Sequence, residues 1–306
     1  MLFYFAPLEG LTNYTYRNTY SNFYKNVDKY FTPFLNSNIA GCLTKKSQRE
    51  IDRGNNKILN LVPQLLTNNS NTFNLVSTKL NDLGYREINL NLGCPSSTVT
   101  SKGKGSGQLK DTDKLKVFFD EIFKNNRQDI SVKTRIGFTD CSEMEALLPI
   151  FNDYPIKEVI VHPRVREDYY KGPINLDVFK DIVDESKNEV CYNGDLFTAD
   201  QIKEFVLKFP TVNKVMLGRG LLANPGLVEE YKTGKSASLE VFRKFHDSLY
   251  NQYSEILYGD RNLLFKMKDY WTIWKLNIPE NEKQIKKLHK SQDLISYHKA
   301  VDSILK

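Results

Sequence analysis

Eight short apolar runs, kept apart by amphipathic stretches, constrain this chain more than any other feature. The runs fall at residues 2–6, 30–34, 59–65, 87–92, 130–134, 158–162, 190–193 and 214–217. Apolar residues at helical spacing fill residues 72–82, 113–125, 142–151, 176–186 and 198–208 between them. Strand-length runs alternating with helix-length patterns predict an α/β fold, and eight of them predict a (β/α)8 TIM barrel. A doubly wound open sheet is the structural rival. It calls for a glycine-rich turn after the first strand, and Ala6-Pro7-Leu8-Glu9-Gly10-Leu11-Thr12 is not one.

In a barrel the chemistry sits where the strands end. The runs end on Pro7-Leu8-Glu9-Gly10, Gln64, Asn91 with Cys94, Lys133 with Arg135, His162 with Arg164, Asn193-Gly194-Asp195 and Gly218-Arg219-Gly220. Any one of these is explained as a cap or a satisfied core polar group. Seven at corresponding positions predict one shared mouth. Residues 88–111 stand out among them. Ile88, Leu90 and Leu92 alternate with Asn89 and Asn91, the strand stops at Gly93-Cys94-Pro95, and a Ser, Thr, Gly and Lys loop follows. A buried structural cysteine with a slack loop is the plain reading; a reactive thiol under a closing loop is the functional one.

Bulk properties narrow the class. The chain has 306 residues, 40% hydrophobic and 26% charged, with a formal net charge of +6, which suits a globular protein with an anionic partner. No apolar run reaches the roughly 20 residues that span a bilayer, and the N-terminus has no signal-peptide pattern, so no membrane association is expected. Four scattered cysteines (Cys42, Cys94, Cys141, Cys191) argue against a metal site or a disulfide framework and fit the cytoplasm.

The chemistry follows from the strand ends. Glycine amides at Gly194 and Gly218, with the Arg219 guanidinium, suit a phosphate, although a plain turn explains them too. Gln64, Lys133 and His162 are donors that suit an electron-rich ring. Together these favour FMN over a small metabolite. A Schiff base on Lys133 is the alternative, but it leaves Cys94 without a task. With a flavin present, a neutral Cys94 thiol is the general acid that gives the second proton when a C=C bond is saturated. Lys102 and Lys104, were the loop to fold back, would favour the thiolate instead.

At these residues the chain resembles the tRNA-dihydrouridine synthases, flavoenzymes that reduce uridine in RNA. The matching segments are APLEGLTNYTYR, VPQLL, INLNLGCP, SKGKGSGQL, SVKTRIGF, VHPRVREDYYKG, NGDL and LGRGLLANP. The resemblance implies FMN contacts from Ala6, Pro7, Gln64, Lys133, His162, Asn193, Gly194, Asp195, Gly218 and Arg219. It implies substrate contacts from Asn91, Lys102, Arg135, Arg164 and Arg166, and assigns Cys94 as proton donor. It further implies NADPH as reductant, tRNA as partner, and a monomer. The family usually has threonine in place of Val165, glutamine in place of Asp168 and often alanine in place of Glu9. The rivals are an FMN-dependent dehydrogenase of a free pyrimidine or dihydroorotate-type substrate, and a non-catalytic RNA-binding protein on the same fold.

Two domains are expected: a catalytic FMN-binding barrel over residues 1–235 and a helical, RNA-binding domain over residues 236–306. Helical patterns cover residues 236–256, 261–276 and 280–305, and this part carries twelve Lys or Arg against nine Asp or Glu. Lys266, Lys268, Tyr270, Trp271, Trp274 and Lys275 interleave aromatic and basic residues. That pattern fits an RNA platform or, equally, a core with a solvated face.

Overall fold

The structure is a computed structural model that describes residues 1–58, 60–126 and 128–306. Its strands are β1 (Leu2–Phe5), β2 (Lys29–Phe31), β3 (Leu61–Val62), β4 (Gln64–Leu65), β5 (Glu87–Leu92), β6 (Asp129–Arg135), β7 (Val159–His162), β8 (Val190–Tyr192) and β9 (Lys214–Leu217). They pair in parallel in the order β3-β2-β1-β9-β8-β7-β6-β5-β4. β3 and β4 flank Pro63, which has no N–H to give to a ladder. They are two halves of one strand: β3 pairs with β2, β4 pairs with β5, and the Pro63 carbonyl accepts from the Asn89 N–H (2.9 Å). The order therefore joins end to end, and the expected eight-stranded barrel forms. Of the run expected at 59–65, Leu59 lies outside the described residues.

Alternation decides which side chains line the barrel. In β5, Ile88, Leu90 and Leu92 pack outward into the main core with Phe73 and Phe119, while Asn89 and Asn91 bond to side chains of neighbouring strands. Tyr4, Ala6, Phe31, Val62, Ile160, Cys191 and Met216 form a separate apolar cluster inside the barrel. One wall of the interior is thus apolar and the opposite wall is made of amides and a hydroxyl.

The barrel is closed at its N-terminal end by an ion lattice. Lys29 reaches Glu158 (2.6 Å) and Glu87 (3.1 Å), Lys157 reaches Glu87 (3.1 Å), and Lys214 reaches Glu158 (3.1 Å) and Glu189. Tyr4 donates its hydroxyl to Glu158 (3.0 Å). Burial pushes the Glu158 carboxyl up, but Lys29 and Lys214 outweigh it and leave it below the usual glutamate range.

Two helices escaped the pattern reading. Tyr14–Phe23 starts on Asn13, whose side chain accepts from the Tyr16 N–H (3.0 Å), and Lys45–Ile51 starts on Thr44. Tyr- and Asn-rich, the first has no clear apolar stripe in sequence, yet Tyr16 and Tyr20 are buried. The stretch after Gly218-Arg219-Gly220, which reads in sequence as one helix over 221–231, is two helices, Arg219–Ala223 and Leu227–Thr233, separated at Pro225.

The C-terminal helices are Leu239–Ile256, Asp260–Trp274, Glu282–Lys290 and Leu294–Ile304. The single helix expected over 280–305 is interrupted: Ser291 turns extended, and Asp293 caps a new helix by accepting from the Ser296 N–H (2.7 Å). These helices continue the main core. Phe245 meets the ring of Tyr16 edge-on (5.6 Å), and Tyr270 stacks on Tyr16 (5.0 Å). Tyr253 donates to Asn13 (2.7 Å) and Tyr270 to the Leu11 carbonyl (2.7 Å). Among the described residues no helix is long and apolar enough to cross a membrane.

Candidate active site

The C-terminal ends of the strands open into one cavity. Ala6, Pro7, Gln64, Lys133, His162, Asn193, Gly194, Asp195, Gly218 and Arg219 line it, together with Asn91, Cys94 and Arg135. Leu8, Glu9, Phe34, Gly93, Pro95 and Tyr170 line it as well. Phe34 is absent from the sequence reading because an apolar residue at a strand end looks like core. Parallel register aligns the contributors: Gln64 stands opposite Asn89, Asn91 opposite Lys133, and Arg135 opposite His162.

Cys94 is half-buried and its backbone is held from several sides. The Asn91 side-chain oxygen accepts from the Cys94 N–H (2.9 Å) and the Gly93 N–H (3.1 Å). Ser106 donates its hydroxyl to the Cys94 carbonyl (2.8 Å). Arg135 donates to the Gly93 carbonyl (3.0 Å) and Arg166 to the Pro95 carbonyl (3.0 Å). Gly105 has φ +58°, and a Cβ there would lie 3.0 Å from the Cβ of Cys94, so only glycine fits without displacing the thiol. The loop after Cys94 is packed where it returns to the barrel: residues 105–109 are buried and Gln108 donates to the Thr67 carbonyl (3.1 Å), while Ser97, Thr98, Ser101 and Lys102 are exposed.

Burial pushes the Cys94 thiol above the usual cysteine range, against the pull of the Ser96 amide, Arg135 and Lys133. Cys94 is thus a protonated thiol at neutral pH. Lys102 is exposed on the turn before Gly105; its carbonyl accepts from Asn68 (3.0 Å) and its N–H donates to the Val99 carbonyl (3.1 Å). The sequence had weighed Lys102 and Lys104 as the cations near the thiol; the cations that act on it are Arg135 and Lys133.

The cationic wall is short of counter-charge. Burial and the neighbouring Arg135 lower Lys133 to about 8. Burial, then Arg135 and Lys133, hold His162 well below the usual histidine range. Arg164 donates to His162 Nε2 (3.3 Å), which leaves the proton of the neutral ring on Nδ1. Asp195 is the anion here. Burial raises its carboxyl, but Arg164 (2.7 Å) and Arg219 outweigh that and keep it ionised. A Cβ on Gly194 would lie 1.9 Å from the Tyr192 hydroxyl, so that turn also requires glycine.

Three of the arginines expected at the substrate are occupied with protein. Arg135, 1% exposed, lines the cavity yet also donates to the carbonyls of Val165 (2.8 Å) and Tyr169 (2.6 Å). Arg164 holds Gly172 (2.6 Å) and Asp195 beneath the cavity, and Arg166 lies against Phe138 (5.1 Å) and Tyr169 (4.9 Å). Tyr169 has φ +51°, a strained conformation for a tyrosine, fixed by the bond from Arg135. Tyr170 projects into the cavity between the Arg219 and Arg135 guanidiniums (4.9 and 5.5 Å from its ring). Two of the three departures in sequence have local tasks: Glu9 pairs with Lys46, and Asp168 accepts from the N–H of the third, Val165 (3.1 Å).

The aromatic RNA platform is not there. Tyr270, Trp271 and Trp274 are 1%, 0% and 1% exposed, because the helices use them to pack on one another and on Tyr16. Among the described residues, no group of three or more His, Cys, Asp or Glu could hold a metal ion.

A closed parallel barrel with a donor-rich mouth and a protonated thiol is the architecture of a TIM-barrel oxidoreductase. Residues 4–294 match the family model described as dihydrouridine synthase (Dus), and the chain belongs to that family. It is similar to a probable tRNA-dihydrouridine synthase of Staphylococcus epidermidis, 27% identical over 269 residues, 83% of this chain and 79% of the relative. One of Rickettsia prowazekii is 29% identical over 192 residues, 58% of each chain. Among solved structures, morphinone reductase shares the fold with a TM-score of 0.52 at 11% identity, over 77% of this chain and 86% of that one.

Proposed function

We propose that this enzyme reduces uridine to 5,6-dihydrouridine in tRNA, using FMN in the cavity and NADPH as the reductant. The observation that carries the reading is the convergence of Gln64, Lys133, His162, Arg219 and a protonated Cys94 on one cavity. The donor set fits a flavin. Arg219 with the amides near Gly194 and Gly218 would hold the phosphate, while Gln64, Lys133 and neutral His162 would offer donors to the ring. A bound flavin supplies the hydride for one carbon of the uracil double bond.

The chain's own residues supply the rest. Cys94 holds the proton that the other carbon requires, on a sulfur that burial keeps protonated. Asn91 orients the thiol through its N–H and also faces the cavity. Arg135 and Arg166 hold the carbonyls on either side of Cys94, so their contribution to substrate is the placing of the thiol. Exposed Lys102, beside the mouth, is available to an RNA phosphate. Residues 1–235 act as the FMN-binding catalytic domain and 236–306 as the helical RNA-binding domain. In the latter, the exposed Lys283, Lys286, Lys287 and Lys290 of helix Glu282–Lys290 replace the buried aromatics as the RNA-facing groups.

The test is direct. The purified protein should be yellow with bound FMN and form dihydrouridine on unmodified tRNA with NADPH. A colourless protein that does not take up FMN sinks the reading.

A further inference from the structure

A file of buried side chains climbs one wall of the barrel from its closed end to the mouth. Glu87 Oε1 accepts from Ser131 Oγ (2.8 Å), and Ser131 Oγ accepts from Asn89 Nδ2 (2.9 Å). Asn89 Oδ1 accepts from Gln64 Nε2 (2.7 Å), and Gln64 Oε1 accepts from Asn91 Nδ2 (2.7 Å). Asn91 Oδ1 then takes the N–H groups of Gly93 and Cys94. Ser131 and Asn89 are 0% exposed and Gln64 is 1%, so water does not relieve a mismatch.

The direction of this file is forced from both ends. The carboxylate of Glu87, which also takes the ammonium groups of Lys29 and Lys157, accepts only. Ser131 must donate toward it, and must therefore accept from Asn89. At the upper end the backbone N–H groups donate only, and require the oxygen of Asn91. Turning any one amide sets donor against donor and oxygen against oxygen at its two joints, which in a sealed wall is costly. Gln64 and Asn91 are the members that the cavity meets, and the Gln64 amide carries one further N–H and one further lone pair beyond the two bonds above.

We propose that Ser131 and Glu87, which do not line the cavity, are positioning residues: through Asn89 they fix the amide orientation of Gln64, and with it the hydrogen-bonding edge the cavity presents to its cofactor. This rests on the reading of the cavity as an FMN site. Ser131→Ala removes one oxygen, leaves Glu87 its ion pairs, strips Asn89 Nδ2 of its partner, and leaves the Gln64 amide held from the Asn91 side alone.

The experiment titrates FMN into the full chain stripped of flavin, following flavin fluorescence, with a melting curve for each variant. Ser131→Ala should raise the FMN dissociation constant about tenfold, the effect of one unmatched buried polar group. Ser131→Thr, which restores the hydroxyl, should return it close to the unsubstituted value. An FMN affinity unchanged in Ser131→Ala, a loss that Ser131→Thr does not recover, or a lowered melting temperature with unchanged affinity overturns the proposal. Should Ser131→Ala not fold, Ser131→Val, which fills the space without a hydroxyl, is read in the same way, and an FMN affinity equal to that of the unsubstituted chain overturns it equally. If the unsubstituted chain takes no FMN at all, the cofactor reading fails first and this inference falls with it.

Discussion

The two ends of the barrel are built from the same residue types and handle charge in opposite ways. At the closed end Lys29, Lys157 and Lys214 alternate with Glu87, Glu158 and Glu189, and Lys214 is raised: burial lowers it, but the bonds to Glu189 and Glu158 win. At the mouth Arg164 and Arg219 share Asp195, Arg135 is held by backbone carbonyls, and burial lowers Lys133 to about 8. The closed end stabilises the fold, whereas the mouth holds buried donors short of partners, at a cost that a bound anionic cofactor relieves.

The largest effect should come from breaking the lattice. Glu158→Ala leaves Lys29 with Glu87 alone, Lys214 with Glu189 alone and the Tyr4 hydroxyl without its acceptor, and should lower unfolding stability by about 3 kcal/mol in a denaturant titration. The same operation at the mouth should have the opposite sign. Lys133→Met removes an uncompensated buried cation, so it should raise the denaturation midpoint of the flavin-free protein while weakening FMN. A destabilised Lys133→Met protein would erase the contrast between the two ends.

The pH dependence sharpens it further. Lys133 binds its proton less tightly folded than unfolded, so its penalty on the fold is full below about pH 8. That penalty fades as pH rises from about 8 toward the unfolded lysine value near 10.4, where the unfolded state still holds the proton. In flavin-free protein, the difference in stability between Lys133→Met and the unsubstituted chain should shrink across that window. A constant difference contradicts the assignment.

A smaller effect is expected at the turn beneath the thiol. Gly105→Ala should cut product formation by about tenfold or more through misplacement of Cys94, with FMN content unchanged. The smallest lies furthest from both ends: replacing Lys286 or Lys287 by Ala should leave FMN alone and lower the salt slope of tRNA binding by about one unit or less each. An unchanged slope removes helix Glu282–Lys290 from the RNA contact. Deleting residues 236–306 is the poorer experiment, since it strips Phe245 and Tyr270 from Tyr16 and so opens the barrel's own core.

The sequence made the mouth legible and left the closed end hidden, for a physical reason. Polar residues where a strand should stop, such as Gln64, Lys133 and Asn193, violate local expectation and so mark themselves. Glu87 and Glu158 sit at the starts of their strands like ordinary surface charges, and only closure of the ring brings Lys29 to them across 58 and 129 residues of sequence. Trp271 and Trp274 were ambiguous because a helical stripe does not say what covers it. Gly105 was visible as a glycine, but its task depends on the Cys94 Cβ lying 3.0 Å from where a side chain on residue 105 would begin. The resemblance placed Arg164 and Arg166 by register, which carries no information about the carbonyls and the carboxylate they bond.

The central claim is that the mouth is a uridine-reducing site with Cys94 as its acid. The decisive measurement is dihydrouridine formed on unmodified tRNA by Cys94→Ala against the unsubstituted enzyme, at equal FMN content and across pH. Cys94→Ala should bind FMN and tRNA normally yet form product at least about 100-fold more slowly. The unsubstituted enzyme should keep its rate up to a pH above the ordinary thiol range, since burial raises Cys94. Undiminished product from Cys94→Ala would contradict the claim.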